Sequence, residues 1–173
     1  MPEIYQPAED SHLLVDVLKK YVKDPGVKAI EIGVGSGIQL KTLRDLGVKD
    51  VFGVDVNKDA VKHCKSLGFR CQPSDLFNFV KDSYDLIVFN PPYLPENRKE
   101  PKSSQIATTG GELGSEIINK FLEQAKDHLN PNGKIYLLTS SLTKGIDWKG
   151  YNKKLLAKKK LFFEELYAWE VTV

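Results

Sequence analysis

The chain has 173 residues, 41% of them hydrophobic and 28% charged, with a formal net charge of +2. These values predict one globular domain, residues 1–173, and the small net charge does not call for a polyanionic partner. No apolar run approaches the ~20 residues needed to cross a bilayer, and no signal-peptide pattern opens the sequence. The two cysteines make neither a disulfide framework nor a metal site, so a reduced, cytoplasmic setting is expected.

Predicted helices and strands alternate along the chain. The first helix is predicted to begin at Pro7 and to stop at Asp24-Pro25-Gly26. The predicted strands that follow are Val27–Ile32, Asp50–Val56, Phe69–Gln72, Leu86–Phe89 and Lys134–Thr139. A short helical turn over Ile146–Tyr151 and then an antiparallel hairpin are predicted to end the fold. This order predicts an α/β, doubly wound, mostly parallel seven-stranded sheet of Rossmann-like type.

The most informative segment is the end of the fourth predicted strand, where an apolar run leads into Asn90-Pro91-Pro92-Tyr93. The run indicates a strand buried on both faces, and the two prolines prevent it from continuing as a helix. The tip offers one amide side chain, several carbonyl acceptors and one aromatic ring, which suit a planar NH2 group. A proline-rich strand stop is the simpler reading, but asparagine is a poor choice for a desolvated strand end.

A glycine-rich turn, Glu31-x-Gly33-x-Gly35-x-Gly37, follows the first predicted strand and leads into a helix. Glycines permit a sharp turn and let a ligand lie against the backbone beside the helix N-terminus. The turn alone is a weak signal, because it is found in dinucleotide-binding folds and also without any ligand.

Acidic residues end the next two strands. Asp55 ends strand two, where a carboxylate can accept both hydroxyls of a ribose. Asp75-Leu76 follows strand three, where the acid can accept from an adenine amine while the leucine packs on the ring. Each aspartate alone is more simply a helix cap or a solvated loop residue. Features that end four strands nevertheless meet at one edge of the sheet, where open α/β sheets bind ligands.

These segments together resemble the class I S-adenosylmethionine-dependent methyltransferases. The Asn-Pro-Pro-Tyr tip is similar to the signature of the branch that methylates glutamine amides or the amines of adenine and cytosine. From about Tyr5 to Thr139 the chain more narrowly resembles the HemK-type release-factor glutamine methyltransferases, in the single-domain form of archaea and eukaryotes. The segments that carry the likeness are Tyr5-Gln6-Pro7-Ala8-Glu9-Asp10-Ser11, the glycine-rich turn, Asp55, Asp75-Leu76, the Asn-Pro-Pro-Tyr tip and Gly110-Gly111-x-x-Gly114.

The resemblance implies S-adenosyl-L-methionine as the cofactor, without a metal. It implies that the cofactor-binding residues are Ser11, Glu31, Gly33, Gly35, Gly37, Asp55, Asp75, Leu76 and Asn90. It implies that the substrate amide is held by Asn90, Pro91, Pro92, Tyr93 and Leu94. Family members often carry threonine where Ser11 stands, which keeps the hydroxyl, and the segment after strand five is shorter than usual.

A mechanism follows from these assignments as a hypothesis. A glutamine nitrogen is a poor nucleophile, because its lone pair is delocalised into the carbonyl. The Asn90 side-chain oxygen and the Pro91 carbonyl would each accept one N–H and aim the nitrogen, while Tyr93 packs on the flat face. The same oxygens would stabilise the positive charge that develops on the nitrogen, so no strong general base is required.

The resemblance also implies two protein partners. The substrate would be a translation release factor that carries Gly-Gly-Gln. A small zinc-binding activator subunit would form a heterodimer by covering the open edge of strand three, near Phe69–Gln72. The polar segment Leu94–Ser104 is expected to order when the substrate binds.

Three alternatives remain open from the sequence. The first is an amino methyltransferase of adenine or cytosine in DNA or RNA, with seven lysines between Lys144 and Lys160 as a phosphate-binding strip. A solvated polar face is the simpler reading of those lysines, and the chain has little extra surface for flipping a base. The glycine turn and Asp55 also permit a nicotinamide-dependent oxidoreductase, which the Asn-Pro-Pro-Tyr tip disfavours. A non-catalytic subunit is disfavoured because every expected site residue is present.

Overall fold

The computed structural model describes residues 4–96 and 108–173. Its helices are α1 (Glu9–Tyr21), α2 (Ile38–Asp45), α3 (Lys58–Ser66) and α4 (Glu116–Ala125), the last followed by a 3-10 turn at Lys126–His128. Its strands are β1 (Lys28–Ile32), β2 (Asp50–Asp55), β3 (Arg70–Pro73), β4 (Tyr84–Phe89), β5 (Leu129–Ser140), β6 (Asn152–Lys160) and β7 (Glu165–Thr172). Within these ranges, none of the helices has the length and apolar character that crossing a membrane requires.

The described strands form one seven-stranded sheet in the order β3-β2-β1-β4-β5-β7-β6. The first five strands of that order run parallel, whereas β7 is antiparallel to both of its neighbours. This confirms the predicted sheet and the predicted C-terminal hairpin. Because β1 to β4 are parallel, their carboxyl ends lie at one edge, and every predicted site residue except Ser11 lies at or just beyond those ends. The strands β3 and β6 are the two outer strands.

The core surrounds the central strands. Ile30 in β1 and Ile87 in β4 have no solvent exposure, and the helices cover them with equally buried side chains, among them Leu14, Leu40 and Phe121. Helix α4 packs on this core through one apolar stripe, since Ile118, Phe121, Leu122 and Ala125 are all buried. A strand that is apolar on both faces therefore lies in the middle of the sheet, as its sequence indicated.

Helix α1 begins at Glu9, two residues later than predicted. Ala8 is extended, with φ of −123° and ψ of −164°, so Pro7 belongs to an extended approach segment. The Tyr5 hydroxyl donates to the carboxylate of Asp10 at 3.0 Å, and this bond holds the approach segment across the first turn of the helix. The Asn57 side chain caps α3, because it accepts from the Asp59 amide at 2.9 Å.

Two boundaries after α4 differ from the sequence-based expectation. The predicted helical turn over Ile146–Tyr151 is wrong: the segment is irregular and ends in a tight turn in which the Tyr151 amide donates to the Trp148 carbonyl at 3.0 Å. Gly150 takes a left-handed φ of 76°, which a helix does not allow. Strand β5 begins at Leu129, five residues before its predicted start at Lys134. Leu129 already pairs with Tyr84 of β4, before the register between the two strands shifts.

Candidate active site

A cavity of about 520 Å³ opens at the carboxyl ends of the parallel strands. The predicted site residues that line it are Ser11, Glu31, Gly33, Gly35, Asp55, Asp75, Leu76, Asn90, Pro91 and Pro92. Gly37 and Tyr93 do not line it. Of the segment Leu94–Ser104, whose ordering on substrate binding was predicted, residues 97–104 lie outside the described residues.

The glycine-rich turn is fixed by backbone bonds to the neighbouring strand. The amides of Gly33 and Val34 both donate to the Val54 carbonyl, at 2.8 and 3.1 Å. Gly33, Gly35 and Gly37 all have left-handed φ values, between 47° and 80°, a conformation that favours glycine. A side chain at Gly37 would also meet the Cys64 sulfur at 3.0 Å. Gly37 therefore starts α2 and packs on α3, behind the wall of the cavity.

The Asp55 carboxylate ties the glycine-rich turn to the start of α3. Its Oδ2 accepts from the Gly35 amide at 2.9 Å and its Oδ1 from the Asn57 amide at 2.7 Å. Burial raises the pKa of Asp55, and these backbone N–H donors partly oppose the rise. Each carboxylate oxygen accepts more than one hydrogen bond, so the group can hold two hydroxyls while it keeps its backbone partners.

Glu31 is a buried acid at the base of the cavity. It is 2% exposed, and its Oε2 accepts from the Leu40 amide at 3.1 Å. Burial raises the pKa of Glu31 well above its usual range. A positively charged ligand group in the cavity would favour the ionised form of this side chain.

Asp75 and Leu76 follow β3 at the far side of the cavity. Asp75 forms an ion pair with Lys120 at 2.6 Å, a partner from α4 that also lines the cavity and that the sequence analysis missed. Leu76 is buried with a left-handed φ of 49°, which is uncommon for a residue with a side chain. The Ser74 hydroxyl supports this conformation by donating to the Leu76 carbonyl at 2.8 Å.

Asn90 lies at the tip of β4, with the two ends of its amide in different surroundings. Its Nδ2 donates to Asp10 Oδ2 at 3.1 Å and lies 3.5 Å from Ser11 Oγ. Its Oδ1 is buried and has no hydrogen-bond partner among residues 4–96 and 108–173. A buried acceptor without a partner costs about 1–3 kcal/mol. Asn90 therefore has one satisfied donor end and one acceptor oxygen to offer.

Asp10 is a second residue of this cavity that the sequence analysis did not assign to the site. An acid in the first turn of a helix is adequately explained by the helix dipole, and only its place in the segment that carries the family resemblance pointed further. The structure buries Asp10 to 4% exposure, and its carboxylate accepts from the Ser11 amide at 2.6 Å and the Tyr93 hydroxyl at 3.4 Å. Burial and the charge of Asp10 raise the pKa of Tyr93, as of Tyr5, so both phenols remain protonated donors.

The Gly110-Gly111-x-x-Gly114 segment packs directly on the backbone of the β4 tip. A side chain at Gly110 would come within 2.6 Å of the Pro92 carbonyl oxygen, and one at Gly114 within 2.4 Å of the Tyr93 carbonyl oxygen. The Gly110 amide donates to the Leu94 carbonyl at 2.9 Å. Only glycine allows this approach, which explains the motif as a clamp on the tip.

Known proteins resemble this chain over most of its length. The family model described as "Methyltransferase small domain" matches residues 8–147. A protein of Methanocaldococcus jannaschii, provisionally named a protein N5-glutamine methyltransferase, is 36% identical and spans 98% of this chain and 93% of its own length. The Schizosaccharomyces pombe eRF1 methyltransferase catalytic subunit is 27% identical over 82% of this chain and 74% of its own length.

The chain belongs to the methyltransferase small domain family. Its likeness to the M. jannaschii protein, and to the Mus musculus methyltransferase HEMK2 at 33% identity over 79% of this chain and 72% of that one, confirms the predicted HemK-type membership. Among solved structures, a ribosomal protein L11 methylase from Lactobacillus delbrueckii subsp. bulgaricus superposes with a TM-score of 0.66 over 96% of this chain and 80% of that one. At 18% identity that likeness shows the fold alone.

The methyltransferase uses S-adenosyl-L-methionine, and its cavity fits that molecule. Glu31 and Asp55 supply carboxylates for a cationic ligand that carries ribose hydroxyls, and the turn at Gly33 leaves the backbone uncovered. The Asn90 tip lies in the wall of the same cavity. Asn90 and most of the predicted cofactor residues therefore line one cavity.

Proposed function

We propose that this methyltransferase modifies the side-chain nitrogen of a glutamine in a protein, within the Gly-Gly-Gln motif of a translation release factor. The names of the M. jannaschii and S. pombe relatives support the glutamine and the release factor respectively. The observation that carries the chemistry is the buried Asn90 Oδ1, which has no partner in the described part of the chain. A primary amide supplies the N–H that this oxygen lacks.

The bound S-adenosylmethionine supplies a methyl group activated by a sulfonium. Glu31 and Ser11 would border its methionine part, Asp55 its ribose, and Asp75 with Leu76 its adenine. Gly33 and Gly35 would let the molecule lie against the backbone. The cavity walls exclude water around the reacting groups, which strengthens each electrostatic contact inside.

The β4 tip would orient the substrate. Asn90 Oδ1 and the Pro91 carbonyl would each accept one N–H of the glutamine amide, so that the nitrogen lone pair is directed away from the tip. Orientation of this kind can lower a barrier by several kcal/mol. Acceptor oxygens fixed near the nitrogen also stabilise the positive charge that develops there. Tyr93, whose hydroxyl is bound to Asp10, would support the tip from behind.

The function is tested with labelled cofactor and purified release factor. The wild-type factor should gain one methyl group on the glutamine of Gly-Gly-Gln, located by mass spectrometry of the peptide. A matched factor carrying Gly-Gly-Asn presents the same amide one methylene shorter and should remain unmodified. Equal labelling of both factors would contradict the assignment.

The structure gives little support to a nucleic-acid substrate. Four of the seven lysines between Lys144 and Lys160 already have partners within the chain for their side-chain nitrogen. The Lys144 side chain donates to the Ser141 carbonyl, and that of Lys153 lies over the rings of Trp148 and Trp169. Lys158 forms an ion pair with Glu165, and Lys159 forms one with Glu9. A strip that binds phosphates depends on uncommitted cations. Activity on whole-cell extract should survive nuclease treatment, and its loss would favour DNA or RNA instead.

A small zinc-binding activator is the second proposed partner. β3 is an outer strand of the sheet, and the Phe79 carbonyl accepts from the side chain of Gln72 in that strand at 2.7 Å. The Phe79 side chain is 70% exposed. An open strand beside an exposed apolar side chain favours pairing with another chain. The S. pombe relative is named a catalytic subunit, which supports a second subunit.

The partner is tested by expressing the chain with a candidate small zinc protein from the same cells. The complex should elute as a heterodimer that contains zinc, and Phe79→Glu should weaken it. Phe162→Glu, at a similarly exposed phenylalanine of the distant β6–β7 turn, is the matched control. A chain that is monodisperse and fully active alone would refute the need for an activator.

A further inference from the structure

The Asp10 carboxylate joins the N-terminal approach segment and the first turn of α1 to the tip of β4, which is about 80 residues away in the chain. It is 4% exposed and lies between the approach segment, the first turn of α1 and the tip of β4. Its donors are Tyr5 Oη at 3.0 Å, Ser11 N at 2.6 Å, Ser11 Oγ at 3.2 Å, Asn90 Nδ2 at 3.1 Å and Tyr93 Oη at 3.4 Å. An ionised carboxylate offers acceptors only, and every one of these contacts supplies a donor.

The contact with Asn90 distinguishes the two ends of an amide that is otherwise nearly symmetric in shape. With Nδ2 toward Asp10, a donor faces an acceptor. With the amide reversed, Asn90 Oδ1 would face the carboxylate oxygen, and two acceptors would repel one another in a buried setting. The carboxylate therefore determines which atom of Asn90 remains available, and that atom is Oδ1, buried and without a partner in the described ranges.

We propose that Asp10 is a positioning residue for methyl transfer: it holds Asn90 Nδ2 and thereby leaves Asn90 Oδ1 as the acceptor for the substrate N–H. The inference rests on the proposed function, in which Asn90 accepts from the glutamine amide. Asp10 acts through Asn90 and does not itself touch the substrate. It sets the direction of one hydrogen bond, and so determines whether the tip can hold an NH2 group at all.

The first variant is Asp10→Asn, which keeps size and shape. The new amide at position 10 offers one acceptor oxygen and one NH2 donor, and the Ser11 amide retains the acceptor. The donor then faces Asn90, whose amide reverses to present oxygen toward position 10 and NH2 toward the substrate. Because loss of one such electrostatic contact typically costs 10²–10³ in turnover, kcat is expected to fall about 100-fold. The Kd for the cofactor should stay within about threefold, since the Asp55 end of the site is unchanged.

The second variant tests the direction of the bond by exchanging the two residues. In Asp10→Asn with Asn90→Asp, the amide at position 10 donates to the carboxylate at position 90, which keeps an acceptor oxygen for the substrate. Asn90→Asp alone places two carboxylates next to each other, and its kcat should be as low as that of Asp10→Asn. The kcat of the double variant should be at least about tenfold higher than that of either single variant, since the effects of substitutions at contacting residues are not additive. A purely structural role for Asp10 predicts no recovery.

The control for the charge change is Asp16→Asn, on the same helix at an exposed position. It removes one negative charge from α1 without touching the site, and its kcat should equal that of the wild type. Circular dichroism and the unfolding temperature of each variant show whether it folds. An Asp10→Asn protein that folds, binds cofactor and turns over at the wild-type rate would overturn the inference.

A second measurement keeps the inference separate from the proposed function. With 15N-labelled asparagine, the side-chain NH2 of Asn90 is identified by its loss in Asn90→Ala, and its hydrogen exchange is followed by NMR. Exchange should be slow in the wild type and at least about tenfold faster in Asp10→Asn, because a half-buried amide that is hydrogen-bonded to a carboxylate exchanges when that bond opens. If no glutamine substrate is methylated but this protection is found, the function fails and the positioning stands. Equal exchange in both proteins refutes the positioning whatever the substrate is.

Discussion

The two halves of the cavity are built in different ways. On the side proposed for the cofactor, the glycine-rich turn is held by backbone bonds to the neighbouring strand, such as Gly33 N to Val54 O, and Asp55 binds two further amides. On the side proposed for the substrate, Asn90 depends on a side chain 80 positions away in sequence, Asp10. One half follows from the order of the strands, and the other depends on the start of α1 and a distant strand tip that meet at one carboxylate.

This contrast has a consequence for substitutions. Backbone bonds survive a change of side chain, so the cofactor half should lose affinity in steps as single contacts are removed. The substrate half has one acceptor oxygen in one orientation, so a single change should remove its activity almost completely. The two halves should also fail separately, one in cofactor affinity and the other in turnover.

The largest effect is expected for Asn90→Ala. The variant has no acceptor for the substrate N–H and should lose at least about 1,000-fold in kcat, the upper range for an electrostatic contact of this kind. Its cofactor affinity, measured by calorimetry, should remain close to that of the wild type. Turnover near the wild-type rate would break the contrast, because the tip would then not be the substrate half.

Asp55→Ala should show the opposite pattern. Hydrogen bonds to a charged group contribute about 1.5–3 kcal/mol, so the Kd for the cofactor should rise about 10- to 100-fold. At saturating cofactor, kcat should change little. Asp55→Asn keeps one acceptor oxygen, so its Kd for the cofactor should rise less than that of Asp55→Ala. If calorimetry shows that Asp55→Ala binds the cofactor as tightly as the wild type, the assignment of Asp55 to the cofactor is refuted.

Gly110→Ala tests the clamp on the β4 tip. The new side chain would lie 2.2 Å from the Gly114 carbonyl oxygen, so backbone must move, at about 1–3 kcal/mol of unfolding free energy. We expect lower kcat with little change in cofactor affinity. Gly26→Ala is the matched control, because the new side chain would meet only the movable Asp24 side chain, at 3.1 Å. Equal activity in both variants would show that the clamp does not support the tip.

The smallest effect is expected for Glu31→Gln and depends on pH. Because burial raises the pKa of Glu31 well above 4.5, its contribution to the stability of the cofactor-free protein is present below pH 4.5 and is lost as the pH rises through the raised pKa. Glutamine does not ionise and can still accept from Leu40. The variant should therefore unfold a few degrees higher than the wild type at pH 8, with little difference at pH 4.

The same substitution should weaken the cofactor about tenfold at pH 8, since a cationic ligand loses a charged partner. A variant that is less stable than the wild type at pH 8 would show that the ionised side chain has a stabilising partner within the protein. A variant with unchanged cofactor affinity would place Glu31 outside the binding site.

Much of the fold could be predicted from the sequence because its signals are local. The apolar run before Asn90 predicts a central strand, and alternation of strands with helices predicts the parallel sheet. The same alternation of strands and helices predicted that β3 lies at an edge of the sheet. The predicted helix over Ile146–Tyr151 failed because Gly150 breaks it, and because Trp148 packs against Trp169 from a distant strand.

The candidate site was predictable only where its residues lie at strand ends. The placement of Glu31, Asp55, Asp75 and Asn90 around one cavity followed from chain order, which puts them at one edge of the sheet. The pairing of Asp75 with Lys120 and the five donors around Asp10 depend on side chains brought together only by folding. An acid in a first helical turn has an adequate local explanation, so nothing in its immediate sequence marks it as the anchor of Asn90.

The reversed direction of β7 determines which end of the molecule can be attached to something else. Leu166 pairs with Ser140 at the carboxyl edge, and Val171 pairs with Ile135, so the strand runs away from the cavity. Val173 is 66% exposed and lies near the amino ends of the parallel strands, at the edge of the sheet opposite the cavity. An affinity tag, a fluorophore or a surface tether joined there would leave the mouth of the cavity open to a macromolecular substrate.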